Sequence, residues 1–415
     1  MAKYSIIIPV RNALEYLPHC LNTITSQRYD DYEVIISDNC SDDGTSDYIK
    51  SLTDSHFKTI KTPQKFEIAD SWDFAIKHAA GEWLIGLGAD DGLMPYFFQL
   101  ADILTNYCNK KNLSIIKSNR SYFFWQGKQV DETYKIKEFV SYNANSKIEI
   151  LSCFNVVKKA LNNHESFYDM PQMYATSIFR RSIIDTALCT MGRTTFNNST
   201  QDASLGVLGC LLEKNYLYCE IPVGWVGTSN AAHSFRDFKN HASLSNFDYA
   251  NFSYNLYKHL PNNNILVIGA LKAMQNSFCN NKMVLKKLKK LRVNDNSYLL
   301  NLIDKNNNKE DAEIREIFKN LCNFYGNSGT LKQKENLFLK LTVVIRKCIK
   351  KMFALPKRIK NKLCKILHIK SDNNKISITL DKQQFMPINE LNSFIEEKYH
   401  ADFDNLLRKL QKQYL

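Results

Sequence analysis

Glycine and proline are scarce in this chain, 14 and 9 in 415 residues. That scarcity excludes collagen-like and Gly/Pro-rich filaments. No stretch offers the ~20 apolar residues that a membrane-spanning helix needs. The nearest, Leu337 to Leu355, is broken by Lys340, Arg346, Lys347, Lys350 and Lys351. The apolar run near the amino terminus, Ile6 to Ile8, is far too short for a signal peptide and reads as a first strand. The eleven cysteines are scattered singly and form no Cys-x-x-Cys pair. They read as reduced, mostly buried thiols of a cytosolic protein. What is present is apolar and aromatic: 44% hydrophobic residues, 12% Phe, Trp and Tyr. Such a chain is not mostly disordered, and its length accommodates two or three domains with a sizeable core.

The formal charge is +13, from 55 basic and 42 acidic residues. It is unevenly spread. Residues 1–250 hold 24 basic and 28 acidic residues, so the remainder holds all of the surplus. Residues 331–370 are the densest block, with thirteen Lys and Arg against Glu335 alone. The first part reads as a mildly acidic globular domain, and the basicity belongs to the C-terminal part. A basic surplus fits nucleic acid, an anionic membrane or a phosphorylated substrate.

Through residue 120, short apolar runs alternate with amphipathic ones. Ser5–Val10, Glu33–Asp38, Phe57–Lys61, Glu82–Leu87 and Leu113–Lys117 have strand length and composition. Between them, apolar residues recur at helical spacing: Leu14, Leu17, Leu21 and Ile24, then Thr45 to Leu52, then Ile68, Trp72, Ala75, Ile76 and Ala79, then Pro95 to Tyr107. Strands apolar on both faces, alternating with helices, predict a mostly parallel, doubly wound α/β sheet. Beyond 120 the pattern predicts helices at 148–161 and 205–214, a strand at 376–380 and a helix at 391–410. The expected divisions are a catalytic domain at 1–235, a helical extension at 236–330 and a basic amphipathic region at 331–415.

Ligands of open parallel sheets bind beyond the carboxyl ends of the strands. There the first strand is followed by Pro9, Val10, Arg11 and Asn12. The second is followed by Asp38-Asn-Cys-Ser-Asp-Asp-Gly-Thr45, and the fourth by Gly88-Ala-Asp-Asp-Gly92. Asp38 can accept hydrogen bonds from a base or a ribose. Asp90 and Asp91, adjacent on a turn flanked by glycines, suit a hard divalent cation that also holds substrate phosphates. Each cluster alone also fits a plain turn or N-cap. Three of them at one sheet edge do not.

These segments resemble a known family. Ser5-Ile-Ile-Ile-Pro-Val-Arg-Asn12, Ile36-Ser-Asp-Asn-Cys-Ser-Asp-Asp-Gly-Thr45, Ala80-Gly-Glu-Trp-Leu-Ile85 and Ala89-Asp-Asp91 are similar to the family 2 glycosyltransferases of GT-A fold, over roughly residues 3–235. Ile221-Pro-Val-Gly-Trp-Val-Gly-Thr-Ser229 and the following His233 resemble the closing segment of the bacterial polysaccharide and O-antigen members. The resemblance implies a nucleotide-diphosphate-sugar donor, a Mn2+ or Mg2+ ion and inversion at the anomeric carbon. It implies that the backbone at Pro9 to Arg11, with Asn12, and the side chain of Asp38 hold the nucleotide. Asp70 to Asp73 would line the donor pocket, with both of those acids as candidates. Asp91 would hold the metal, with Asp90 supporting; members often carry an acid where Gly88 stands. Asp202, in Gln201-Asp-Ala-Ser-Leu205, matches the general base. Asp202 also fits a helix N-cap, the lesser reading, and His233 is a weaker metal candidate.

A carboxylate at Asp202 would take the proton of an acceptor hydroxyl, a contribution of roughly 10²–10⁴-fold. Arg180 and Arg181 read either as a phosphate clamp or as a solvated helix face. His164, Tyr168 and Tyr174 are placed loosely near an acceptor, and Trp72 reads as core. In 337–365, Leu337, Leu341, Val344, Ile345, Cys348, Ile349 and Met352 form an apolar stripe flanked by cations. It reads as an interfacial helix on an anionic membrane, or as a helix packed on the protein with a solvated basic side. The expected acceptor is a saccharide or lipid-linked saccharide in cell-surface polysaccharide biosynthesis. The expected location is cytoplasmic, peripheral on the inner face of the plasma membrane. Two other functions stay open. A nucleotidyltransferase of similar fold lacks support, because no glycine-rich basic loop follows the first strand. A nucleic-acid-binding protein would use the basic tail, but aromatics are not interleaved with it.

Overall fold

A computed structural model of the chain describes residues 2–125, 140–161, 167–195, 201–229, 264–291, 376–380 and 387–415. The apolar runs of the N-terminal part form strands as expected: β1 (Tyr4–Val10), β2 (Tyr32–Asp38), β3 (Phe57–Lys61) and β4 (Trp83–Gly86). The helices between them are α1 (Leu17–Thr25), α2 (Thr45–Lys50) and α3 (Ile68–Lys77). There follow β5 (Gly92–Leu93), α4 (Phe97–Lys111), β6 (Ile115–Ser118) and β7 (Ser121–Phe124). The next elements are β8 (Val140–Ala144), β9 (Ile148–Ser152), α5 (Cys153–Leu161), β10 (Ser177–Arg180) and α6 (Arg181–Met191). Then come α7 (Gln201–Leu212), β11 (Asn215–Cys219), β12 (Gly224–Thr228), α8 (Asn264–Ser277) and α9 (Lys282–Leu291). Last are β13 (Ile376–Leu380) and α10 (Ile388–Tyr414).

The main sheet has eight strands in the order β3-β2-β1-β4-β10-β6-β11-β9. β1 to β4 run parallel, and β6 and β11 share their direction. β10 is antiparallel to both β4 and β6, and β9 is antiparallel to β11. The expected doubly wound α/β architecture is therefore present. One face of the sheet takes Ile6, Ile8, Val34 and Ile36 into a core with α1, α4 and α10. The other takes Ile7, Ile35, Leu84 and Ile115 into a core with α3, α5, α6, α7, α8 and α9. The alternation of neighbours between two apolar layers is what a central strand with helices on both sides demands. Pro9 is tolerated in β1 because the ladder to β4 ends at Ile7, so its missing N–H falls beyond that pairing.

Three features depart from the sequence reading. Residues 148–152 are a strand, not the first turns of a helix, because they pair with all of β11. Tertiary pairing there overrides a pattern that is short and ambiguous. A second, five-stranded sheet has the order β13-β8-β7-β12-β5. And the ends of the chain are not peripheral. β13 pairs antiparallel with β8, and α10 buries Ile388, Leu391, Ile395, Phe403, Leu406 and Leu410 in the core that contains β1. Likewise α8 and α9 share the core of α7, and the Lys287 ammonium caps the end of α7 by donating to the carbonyls of Cys210, Leu211 and Glu213. The stripe at 337–365 lies outside the described residues. No helix among the described residues is long and apolar enough to cross a membrane.

Candidate active site

The carboxyl ends of β1, β2, β4 and β6 and the start of β10 share one edge of the sheet. At the β1–β2 corner, two loops are laced together. Asn12, held in the left-handed region at φ 52, donates its amide to Asp42 (2.6 Å) and accepts the Asp42 N–H (2.9 Å). Ala13 N–H donates to Thr45 and Leu14 N–H to Asp43. Asp38 closes β2 and is 3% exposed. Its oxygens accept from Ser41 N–H (2.9 Å) and Ser46 hydroxyl (2.5 Å), with Lys61 at 3.7 Å. Asp38 thus organises its own loop by turn bonding. Beside it, Arg11 Nε is buried with no hydrogen-bond partner. An unmet donor on a cation at this corner is a feature that an anionic ligand would satisfy.

Asp70 and Asp73 lie on α3. Asp70 pairs with Arg193 at 2.8 Å. Asp73 accepts from Thr194 N–H (2.6 Å), Thr194 hydroxyl (3.0 Å) and Lys77 (2.7 Å). Both acids tie down 193–195, the approach to α7. Trp72 is core, as expected, and its ring packs where a Cβ at Gly86 would lie, 2.5 Å from that position.

The acidic turn after β4 gives its two carboxylates different surroundings. Asp91 is 0% exposed. One oxygen accepts Gly88 N–H (2.6 Å), the other Gly227 N–H (2.7 Å), and the Tyr174 hydroxyl also bonds to it. Burial first, and the charge of Asp90 second, push the Asp91 carboxyl up to about 7. Asp90 is half-buried; it accepts the Ser229 hydroxyl (2.6 Å), while its carbonyl takes the Trp125 indole N–H (2.9 Å). Asp91 is buried with both oxygens engaged, and Asp90 is partly exposed. Gly88 is needed here, because a Cβ would stand 2.9 Å from the Tyr174 hydroxyl and 3.0 and 3.1 Å from oxygens of Asp90 and Asp91. Gly227 is stricter still: a Cβ would meet the Asp90 carbonyl oxygen at 1.7 Å.

Asp202 lies in the first turn of α7, where its carboxylate accepts the Ala203 N–H at 2.8 Å. Tyr174, between Gln172 and β10, ties it to the acidic turn. The Tyr174 phenol is pushed up by burial, then by the charges of Asp91 and Asp90, with Asp202 also contributing. Three carboxylates from two distant segments therefore act electrostatically on one tyrosine. Tyr174, Trp125, Ser229 and Gly227 were not legible as a group; only the resemblance of 221–229 pointed toward part of it.

Two expectations fall elsewhere. Arg180 pairs with Trp83 in the β4–β10 register, at the opposite edge from Asp90, and its guanidinium stacks on Trp83 and bonds Glu82. Arg181 donates to the carbonyls of Gly81 and Ala79. These arginines are structural bridges, not a phosphate clamp, because antiparallel β10 carries its carboxyl end away from the site. His164 and His233 lie outside the described residues.

A divalent ion is implied by the resemblance. Asp90 offers a hard oxygen donor at a strand end, with Asp202 in electrostatic range of the same tyrosine. One or two carboxylates plus substrate phosphate oxygens suit Mg2+ or Mn2+. The residues present therefore fit the ion. Among the described residues, no group of three or more His, Cys, Asp or Glu forms a metal site by itself.

The chain is 24% identical over 180 residues to the glycosyltransferase GlyG of Streptococcus pneumoniae, covering 39% of this chain and 59% of that protein. It is 33% identical over 92 residues to a PGL/p-HBAD biosynthesis glycosyltransferase of Mycobacterium bovis, covering 22% of this chain and 36% of that protein. It is 22% identical over 155 residues to the putative teichuronic acid biosynthesis glycosyltransferase TuaG of Bacillus subtilis, covering 37% of this chain and 60% of that protein. The chain thus spans less than two thirds of the length of each of these relatives. A solved structure of S. aureus TarS 1-349 in complex with UDP-GlcNAc superposes with a TM-score of 0.48 at 13% identity, over 78% of this chain and 80% of that one. The profile of "Glycosyl transferase family 2" matches residues 5–169, the segment that builds β1 to β9 and the acidic turn. Over that segment, which is less than half of the chain, the protein resembles glycosyl transferase family 2.

Proposed function

We propose that the chain transfers a sugar from a nucleotide-diphosphate-sugar to an acceptor hydroxyl, with inversion, in the synthesis of a surface polysaccharide. The observation that supports this most is the convergence of Asp90, Asp91 and Asp202 on Tyr174 at the carboxyl edge of the sheet. The nucleotide lies along Pro9 to Asn12, with Arg11 supplying its unmet donor to the diphosphate. Asp38 shapes that corner rather than reaching far into it. Asp90, with Asp91 buried behind it, is the carboxylate offered to Mn2+ or Mg2+, and His233 remains a further candidate. When bound, such an ion offsets charge on a leaving diphosphate. Asp202 takes the proton of the acceptor hydroxyl as it attacks the anomeric carbon. One base and one displacement invert the centre. Tyr174 holds Asp91 and separates the two acidic positions without itself ionising.

The acceptor is a saccharide or lipid-linked saccharide, and the enzyme works at the inner face of the plasma membrane, where 337–365 meets anionic lipid. The named roles of curated relatives in glycolipid and teichuronic acid biosynthesis support an acceptor of that class. A thermal-shift screen of nucleotides and nucleotide-sugars, with and without Mn2+, tests the reading. A metal-dependent rise in melting temperature with one nucleotide class is expected. No shift with any of them would overturn it.

A further inference from the structure

We propose that Arg120 is the anchor for an anionic group on the acceptor, a carboxylate or a phosphate. The proposal rests on the sugar-transfer reading above. Arg120 stands just past β6, on the edge that holds Asp90 and Tyr174. Its guanidinium carbon is 4.4 Å from the Tyr168 ring centroid and 5.8 Å from that of Tyr122. Stacking between rings fixes the plane of the cation and leaves its edge donors to find acceptors. Nη1 has found none: it is buried with no hydrogen-bond partner. Buried unpaired donors are rare in folded proteins, and on a cation they are costly. Lys117, three residues earlier in β6, donates to the Tyr168 carbonyl at 3.3 Å and adds a second positive charge. A planar, pre-oriented guanidinium with an unpaired Nη1 offers a charged donor to an oxygen of a carboxylate or a phosphate.

The strand order decides which substrate carries that anion. The nucleotide corner lies at β1 and β2, and the acidic turn follows β4. β6 is two strand spacings beyond β4, roughly 10 Å at about 4.8 Å each. Tyr174, at the start of the intervening β10, marks the catalytic position between them. Arg120 therefore lies across the carboxylates from the nucleotide, where the attacking sugar must approach. An acceptor with a uronic acid or a phosphodiester near its reacting end meets this requirement.

The test uses the full-length chain and two probes, glycerol phosphate and methyl glucuronide, titrated by calorimetry with nucleotide and Mn2+ present. At least one probe binds the wild type. Arg120→Gln weakens that probe by roughly tenfold or more, as expected for the loss of a charge-assisted bond. Arg120→Lys, which keeps the charge but not the fork, loses less, and nucleotide affinity stays unchanged in both variants. Binding of glycerol phosphate alone assigns a phosphate-bearing acceptor, and of the glucuronide alone a uronic acid. The proposal is overturned if neither probe binds the wild type or if Arg120→Gln binds them equally. Loss of nucleotide affinity in step with the probe would also overturn it, because Arg120 would then serve the donor or the fold. Nucleotide binding by the wild type separately reports on the transfer reading.

Discussion

At the residue scale, the two adjacent acids after β4 differ in their surroundings. Asp91 gives each oxygen to a backbone N–H, from Gly88 and from Gly227, and so joins the acidic turn to β12. An amide at that position has one acceptor only, and its NH2 would face an N–H. Asp91→Asn is expected to destabilise by about 1–3 kcal/mol, read as a lower urea midpoint. Asp90→Asn is expected to keep the midpoint and lose the Mn2+-dependent nucleotide shift. If Asp91→Asn abolished that shift while keeping wild-type stability, the ranking of the pair would be reversed. Asp202→Asn is expected to lower turnover by roughly 10²–10⁴-fold while nucleotide binding persists, because only proton removal is lost. Turnover within a few-fold of wild type would leave Asp202 as a helix-end residue alone.

At the element scale, the acidic turn is held by strands that belong to the second sheet. β5 leaves the turn and pairs with β12, whose Gly227 presses on the Asp90 carbonyl. The Asn392 side chain on α10 bridges the two: it accepts the Trp225 indole N–H at 2.9 Å and donates to the Leu93 carbonyl at 2.8 Å. All three groups are buried, so an apolar replacement leaves a donor and an acceptor unmet. Asn392→Leu is expected to cost about 1–3 kcal/mol for each group stranded, with Asn392→Gln recovering less than all of it. Urea denaturation of the two variants measures this; an unchanged midpoint for Asn392→Leu would show that the bridge is not needed. The remote α10 thus supports the site through one amide, and sequence separation gave no hint of it.

At the scale of the whole molecule, the catalytic layer is completed by the last residues of the chain. Ile388, Leu391, Ile395, Phe403, Leu406 and Leu410 are interior residues. Burying each large apolar side chain contributes roughly 1.5–3 kcal/mol, and a domain's net stability is only about 5–15 kcal/mol. A chain ending at residue 386 is therefore expected to aggregate or lose cooperative unfolding. Recovery of a soluble 1–386 fragment with a single sharp unfolding transition would refute this. Among the described residues, α8, α9 and α10 share cores with elements of residues 1–235.

The amino-acid sequence by itself determined the central strands, because β1, β2 and β4 are apolar on both faces and only a sandwiched parallel strand requires that. It also determined that polar loops follow those strands, since Asp38, Asp90 and Asp91 stand directly after them. Local pattern carries such information over a few residues. Tertiary structure alone decided which acid of the pair turns inward, that Arg180 and Arg181 sit at the far edge, and that 148–152 is a strand. It alone brought Tyr174, Asp202, Trp125 and Ser229 to one turn and α10 beneath it. Those outcomes depend on strand order and on which surfaces cover each other, and no periodicity within a single segment records them.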